Sequence, residues 1–428
     1  MAVKRGICMS KNKLSSLEKK WILYDVGNSA FILLVTTIMP IYFNHLCSVA
    51  GLSEDQYLST WSYAASLATI CVALAGPIMG AVSDFKGNKK KVFLFNALLG
   101  SLLLFCFWIP KHWVTFIVLF VLAKVLYSVS LVIYDSMLVD VTTPEQMDEV
   151  SSQGYAWGYI GSVIPFIISL LFVLFYEQIG LTFGAAMIIC FGINALWWAG
   201  CTLPLARSYK QKHYVPAEKH VVRYTFARLG NTFKNIRKNR KCFLFLLSFF
   251  FYIDGVYTIM EMATAYGTSL GLSQNGLLLA LLLTQIVAFP AALTFGALSK
   301  KYPTEKLIKV AIIAYFFIAI YALFLSNLVQ FWILAVAVGL FQGGIQALSR
   351  SYFARIIPEN ASGEYFGLFD ICGKGATFLG TMIVGVVTQL TGIQNIAVGC
   401  LAFLFLLGLV IFNKVSKMPD IPVPEEYE

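Results

Sequence analysis

Twelve stretches of this chain are mostly apolar and close to 20 residues or longer, the length at which an α-helix crosses a hydrocarbon layer ~30 Å thick. They run over 21–45, 57–82, 92–110, 113–139, 153–176, 181–204, 242–267, 274–299, 307–325, 328–349, 364–389 and 392–413. No other feature narrows the fold so far. A backbone that enters lipid must satisfy every N–H and C=O internally, and twelve segments of this length do so as helices. Of the 428 residues, 58% are hydrophobic and only 13% charged, about half the charge of an ordinary soluble domain. The expected class is therefore all-α, a polytopic membrane protein of twelve transmembrane helices. The first 20 residues are polar and basic. They lack an apolar core and a cleavage site, so no cleavable leader is expected and the first span serves as the insertion signal.

The net charge of +10 would suggest nucleic acid in a soluble chain. Here its distribution follows the rule that cytoplasmic loops are rich in Lys and Arg. Of the 32 Lys and Arg, this reading leaves only Lys111 in the opposite loops and, apart from Lys309 at the cytoplasmic edge of the ninth span, only Lys124 and Lys374 inside spans. Both termini are expected in the cytoplasm, and nucleic acid is not expected as a partner. The nine cysteines are scattered singly and read as small buried hydrophobes. No Walker loop, HExxH, GxSxG or metal-ligand spacing occurs, so neither an enzyme, a cofactor nor a metal is expected.

The longest linker, 205–241, divides the spans six and six. Within it Val222, Phe226, Leu229, Phe233 and Ile236 recur at helical spacing among basic residues, the pattern of a helix lying on the inner leaflet. The halves also echo each other. GAVSDFKGNKKK follows the second span and GALSKKYPTEK the eighth; VDVTTPEQ ends the fourth and ARIIPEN the tenth; YDVGNSAF in the first is loosely matched by YIDGVYTI in the seventh. Two six-helix pseudo-repeats place a solute site near the midplane between them. The organisation expected is a bundle over 1–204, a cytoplasmic linker over 205–241, a second bundle over 242–414 and a disordered tail over 415–428.

This plan resembles the major facilitator superfamily. Gly80, Asp84, Gly87, Lys89 and Lys90 match its signature after the second helix. More narrowly, WILYDVGNSAF, YIDGVYTI and QALSRSYFARIIPENASGEYFGLFDICGKGATFLG resemble the vacuolar-effluxer branch associated with autophagy in fungi, together with its bacterial relatives. The resemblance spans about 21–413. It implies secondary transport, with release of amino acids suggested by the fungal members. It also implies that Asp84 sits near the start of the eleventh helix and helps the Lys89–Lys91 cluster close the inner side. The long insertions of the fungal members are missing, which points to a bacterial plasma membrane. In the second half Lys300 replaces the acid of the signature, so any latch there must work differently.

A charge at mid-helix costs ~2.5–3.5 kcal/mol on insertion scales and therefore needs a partner or a polar cavity. Asp254 and Glu261 lie seven residues apart on one helical face with Tyr257 between them, and are expected to line a central cavity as proton carriers or as ligands for an ammonium group. Lys124 and Asp135 share a face about three turns apart. The lysine is a candidate for a carboxylate and Asp135 for the cytoplasmic gate. Asp370 and Lys374, four apart with the acid first, are spaced as an intrahelical ion pair. Asp25 and Asn28 open the first helix, where its dipole favours an acid. The reading is a monomeric, proton-coupled carrier of an amino acid or similar zwitterion. An exporter of amphipathic compounds or lipids, or a non-transporting sensor, are the alternatives.

Overall fold

A computed structural model describes residues 13–216, 225, 229–230 and 239–419. Among these residues are fourteen α-helices: α1 (Ser16–Val49), α2 (Glu54–Ser83), α3 (Lys89–Phe105), α4 (Trp113–Ser136), α5 (Leu138–Val141), α6 (Met147–Phe175), α7 (Phe183–Ser208), α8 (Arg240–Ser269), α9 (Gln274–Leu298), α10 (Thr304–Ala322), α11 (Leu328–Ile356), α12 (Ser362–Thr391), α13 (Gln394–Gly399) and α14 (Ala402–Val415). Among the described residues, eleven helical stretches are long and apolar enough to cross a membrane. The twelfth span is α10. At 19 residues it reaches ~28 Å, and Glu305, Lys306 and Lys309 are confined to its first two turns. The chain is a multi-pass membrane protein.

The helices start where side chains satisfy their free N–H groups. Ser15 and Glu18 form a reciprocal capping box on α1, and Ser53 and Gln56 another on α2. Gly392, at φ 69°, adopts the left-handed conformation that closes α12. The fourth span turns at Met137 into the short α5. The last span, expected to be continuous over 392–413, is broken at Cys400–Leu401 into α13 and α14.

One end of the bundle gathers the start of α1, the ends of α5 and α7, the start of α8 and the end of α14. Thr142 donates to Glu18 at 2.6 Å, Lys20 to Ser208, and Lys241 to the Met418 carbonyl at 3.3 Å. We call this the linker end. Here residues 209–215 run back along the α2–α3 turn, where a parallel bridge joins Phe85 and Val215. The Val215 N–H donates to the Asp84 carbonyl at 2.9 Å, and the Lys86 N–H to the Val215 carbonyl at 3.1 Å. Most of the amphipathic pattern between Val222 and Ile236 lies outside the described residues. Of it, Leu229 is described and is buried.

The N-terminal half, α1–α7, meets the C-terminal half, α8–α14, mainly where α2 packs on α12 and α6 on α9. Glycine makes the first contact possible. A Cβ on Gly80 would lie 2.2 Å from the Gly363 carbonyl oxygen, and one on Gly367 would lie 2.5 Å from Pro77 Cα. The pseudo-equivalent contact behaves alike, since a Cβ on Gly296 of α9 would lie 2.8 Å from Ser152 Cβ of α6. The Gly154/Gly158 pair faces α1, and Gly339/Gly343 chiefly faces α9. Those two pairs chiefly tighten packing within their halves, though Gly154 also meets Arg350 and Gly343 also meets Tyr159 of the opposite half, whereas Gly76/Gly80 lies between the halves.

Candidate functional site: charged clusters between the two halves

Two charged clusters sit between the halves at different depths. The one nearer the linker end centres on Arg350. Sequence reasoning ended the tenth span at 349 and counted this residue in the following loop. In the structure α11 runs on to Ile356, and Arg350 lies inside it, only 2% exposed. Its NH1 stands 2.9 Å from Asp135 Oδ1 on α4, and its NH2 stands 3.3 Å from Asp25 Oδ2 on α1. Nε donates to Ser151 Oγ at 2.9 Å and NH2 to the Ser151 carbonyl at 3.0 Å. The guanidinium carbon lies over three rings, 4.4 Å from Tyr155, 4.7 Å from Trp21 and 5.6 Å from Tyr134. Asp25 is in turn held by Asn28, whose amide donates at 3.2 Å. Gly154 leaves the room for all this: a Cβ there would lie 2.5 Å from Asp25 Oδ2 and 3.1 Å from Arg350 NH2. The missed signal was available, since the apolar pattern of the tenth span continues past Arg350 through Tyr352, Phe353 and Ala354.

The second cluster lies deeper. Lys124, half-buried, lies on α4, which packs against α12, the helix that carries Asp370 and Lys374. Asp370 and Lys374 form the expected intrahelical pair, 2.6 Å apart. A Cβ on Gly76 of α2 would lie 3.8 Å from Asp370 Oδ2, so the pair faces the N-terminal half. Among the described residues Lys124 has no ion-pair partner. Glu261, one turn beyond Tyr257 on α8, is exposed. Tyr257, half-buried, lies on the same helix between Asp254 and Glu261, and its ring would stand 3.7 Å from a Cβ on Gly373 of α12.

Asp254 departs from expectation. It does not line an open face with Glu261. It is completely buried where α8 packs on α12, accepting from the Gly380 N–H at 2.9 Å and from the Thr258 hydroxyl at 3.2 Å. Its other oxygen, Oδ2, has no hydrogen-bond partner. The cause is helix geometry. α12 approaches so closely that a Cβ on Gly380 would lie 2.7 Å from Asp254 Oδ1, and that approach covers the face the sequence pattern left open.

The linker end is tied shut around the α2–α3 turn. The Gly363 and Glu364 N–H groups donate to Asp84 at 2.8 and 2.9 Å, so the carboxylate caps the positive end of α12. Lys89, fully buried, lies 3.4 Å from Asp84 and 3.9 Å from Asp140, and donates to Ser362 at 2.8 Å. Gly87 takes a φ of 76°, a turn conformation that favours glycine. Lys90, half-buried, has no ion pair among the described residues. Asp140, which sequence reasoning passed over, accepts from the Tyr209 hydroxyl, from the Lys212 and His213 N–H groups at 3.1 and 3.0 Å, and faces His213 Nδ1 at 3.0 Å. His213 Nε2 lies 2.9 Å from Glu359 in the α11–α12 connection. The hydrogen bond to Asp140 raises the His213 pKa above its ordinary value, and the charge of Glu359 adds to this.

The second half does work differently. Lys300, after α9, pairs at 2.7 Å with Glu149 at the start of α6, with the polarity opposite to that of Asp84 on α12. Beside it Asp148 accepts from Thr304 and Ser351 and pairs with Arg355 at 3.0 Å.

Twelve helices in two matched sets, closed at one end by charge pairs around the α2–α3 signature, define a transporter of the major facilitator superfamily. The chain belongs to the family described as vacuole effluxer Atg22 like, whose model matches residues 15–418. It is 39% identical to an uncharacterised MFS-type transporter, YxiO, of Bacillus subtilis, over 97% of this chain and 98% of that protein. It is 27% identical to autophagy-related protein 22-1 of Aspergillus niger, over 63% of this chain and 47% of that one. Among solved structures it is similar to a bacterial homologue of the iron transporter ferroportin in an outward-facing state, with a TM-score of 0.68, 15% identity and coverage of 94% and 99% of the two chains. It is also similar to FucP in the outward conformation, with a TM-score of 0.67, 14% identity and coverage of 94% and 98%.

Proposed function

We propose that this transporter moves an amino acid or similar small zwitterion by alternating access, coupled to protons, across a bacterial plasma membrane with both termini in the cytoplasm. The observation that carries the reading is Lys124: a half-buried cation without an ion-pair partner among the described residues, on the helix that packs against α12 and its Asp370–Lys374 pair. An unneutralised ammonium deep in a membrane protein is costly, and a substrate carboxylate offsets that cost. Glu261 supplies the opposite pole for the ammonium of the same molecule. Asp254 carries the proton on Oδ2, the oxygen that has no donor. In this reading 1–204 and 242–414 rock as two bundles about the linker 205–241, the protein works as a monomer, and the linker end is cytoplasmic. The Lys/Arg asymmetry and the Bacillus relative support that placement.

The test is uptake by purified protein in proteoliposomes under an imposed pH gradient. Leucine and other zwitterions are screened, with a hydrophobic dye as competitor and Asp254→Asn and Lys124→Gln alongside. Zwitterion uptake that follows the gradient, loses that response in Asp254→Asn and fails in Lys124→Gln is the expected result. Equal uptake with the same pH response in all three proteins refutes the coupling, and flux of the dye alone refutes the substrate class.

A further inference from the structure

Every contact that the structure gives the Arg350 guanidinium comes from the N-terminal half. Asp25 and Trp21 belong to α1, Tyr134 and Asp135 to α4, and Ser151 and Tyr155 to α6. The arginine itself belongs to α11 of the other half. Two carboxylates, a carbonyl, a hydroxyl and three ring faces are what a planar organic cation requires. The site is also overbuilt for one arginine, since its two acids leave it with a formal charge of −1.

The cage does not depend on its occupant for its shape. Trp21 stacks on Tyr134 at 4.3 Å and donates its indole N–H to the Tyr134 carbonyl at 3.1 Å. Tyr24 packs against Tyr134 at 4.7 Å and bonds Ser130 at 2.8 Å. Asn28 orients Asp25. All these contacts lie within the N-terminal half.

We propose that Trp21, Asp25, Tyr134, Asp135, Ser151 and Tyr155 form a binding site for a guanidinium or similar organic cation, with Arg350 as its tethered internal ligand. When the halves part at the linker end, Arg350 withdraws with α11 and leaves the cage open to that side. A free organic cation then competes with Arg350, and its binding holds the linker end open. The inference rests on the alternating-access reading for the parting of the halves, but not on the substrate or the proton coupling.

The experiment measures agmatine binding to the full-length protein in lipid nanodiscs, by titration calorimetry and by Trp fluorescence, with no flux required. Arg350→Gln removes the internal competitor and is expected to bind agmatine at least tenfold more tightly than the parent. The gain is lost when Asp25→Asn is added, and butylamine binds more weakly because it lacks the planar fork. Arg350→Lys, which keeps the charge but not the fork, falls between and covers the case in which Arg350→Gln does not fold. No gain in either folded variant, or a gain that survives Asp25→Asn, overturns the proposal. Failure of zwitterion uptake in proteoliposomes with agmatine binding intact would remove the zwitterion as substrate and leave this site standing.

Discussion

The Asp84 carboxylate and the Lys300–Glu149 pair occupy pseudo-equivalent places at the linker end, and substituting them should have very different consequences. Asp84 is fully buried and takes two backbone N–H groups of α12 together with Lys89. In Asp84→Asn the cap is weakened by ~1 kcal/mol, and the charge opposite the helix terminus is lost, worth up to ~2 kcal/mol in a buried setting. Lys89, itself fully buried, keeps only Asp140 at 3.9 Å as an acid. Removal of one partner from a buried pair costs ~3–5 kcal/mol. Because Asp140 and Ser362 remain, we take a total near the lower bound, ~3 kcal/mol. Lys300 is 51% exposed, and an exposed pair contributes only ~0–1 kcal/mol. At ~1.4 kcal/mol per decade, opening of the linker end becomes roughly 100-fold easier in Asp84→Asn and no more than about fivefold easier in Lys300→Ala. Amide hydrogen exchange at Gly363 and Glu364, whose N–H groups Asp84 accepts, reads this opening directly in nanodiscs. Acceleration below about tenfold in Asp84→Asn, or equal acceleration in both variants, refutes the reasoning.

Three further outcomes follow from the same geometry. His213 carries a raised pKa through its Asp140 bond, so its stabilisation is complete below about pH 6.5. It is lost as pH rises through the raised value. Exchange at Lys212 and His213, corrected for intrinsic rate, should therefore accelerate with pH in the parent and stay flat in His213→Gln; identical profiles would rule the tie out. Gly154→Ala forces a Cβ to 2.5 Å from Asp25 Oδ2, an overpacking worth ~1–3 kcal/mol. Its effect on thermal unfolding should be non-additive with Arg350→Gln, and strict additivity would mean that the two do not share the site. Lys124→Gln deletes an unpaired cation, so the unfolding temperature should hold or rise while zwitterion uptake falls at least tenfold; a fall in both would mark Lys124 as structural.

Hydrophobic run length located nearly every span, because lipid imposes one secondary structure on any apolar segment of this length. The Asp370–Lys374 pair was equally legible, since it depends only on spacing within one helix. What escaped were features set by which helices touch. Asp254 and Glu261 share a face by periodicity, yet α12 covers the first and not the second, and no pattern within one helix encodes that. Arg350 stands near the predicted end of an apolar run, where a charge reads as a loop residue. Its burial depends on acids 325 and 215 positions away in sequence. Asp140 and His213 were passed over for the same reason: their partnership arises only because residues 209–215 fold back on the α2–α3 turn.

Closure of the linker end is reciprocal, and this bears on how it opens. The N-terminal half presents an anion, Asp84, to a helix terminus of the C-terminal half, while the C-terminal half presents a cation, Arg350, to a pocket of the N-terminal half. Parting the halves therefore strips Asp84 of its two α12 amides, leaving it Lys89, and strips Arg350 of every partner the structure gives it. In the alternating-access reading a bound solute shifts the balance only by its difference in affinity for the two states, and reversing a 99:1 preference takes ~5.5 kcal/mol. A zwitterion held by Lys124 and Glu261 acts at the deeper cluster, and in that reading its influence passes to α12 and the linker end through Tyr257, whose ring packs against Gly373 beside Lys374. Tyr257→Phe keeps the ring and removes the hydroxyl. It should leave zwitterion affinity within about threefold of the parent while uncoupling that binding from hydrogen exchange at Gly363 and Glu364. If ligand-dependent exchange persists unchanged in Tyr257→Phe, the two clusters communicate by another route.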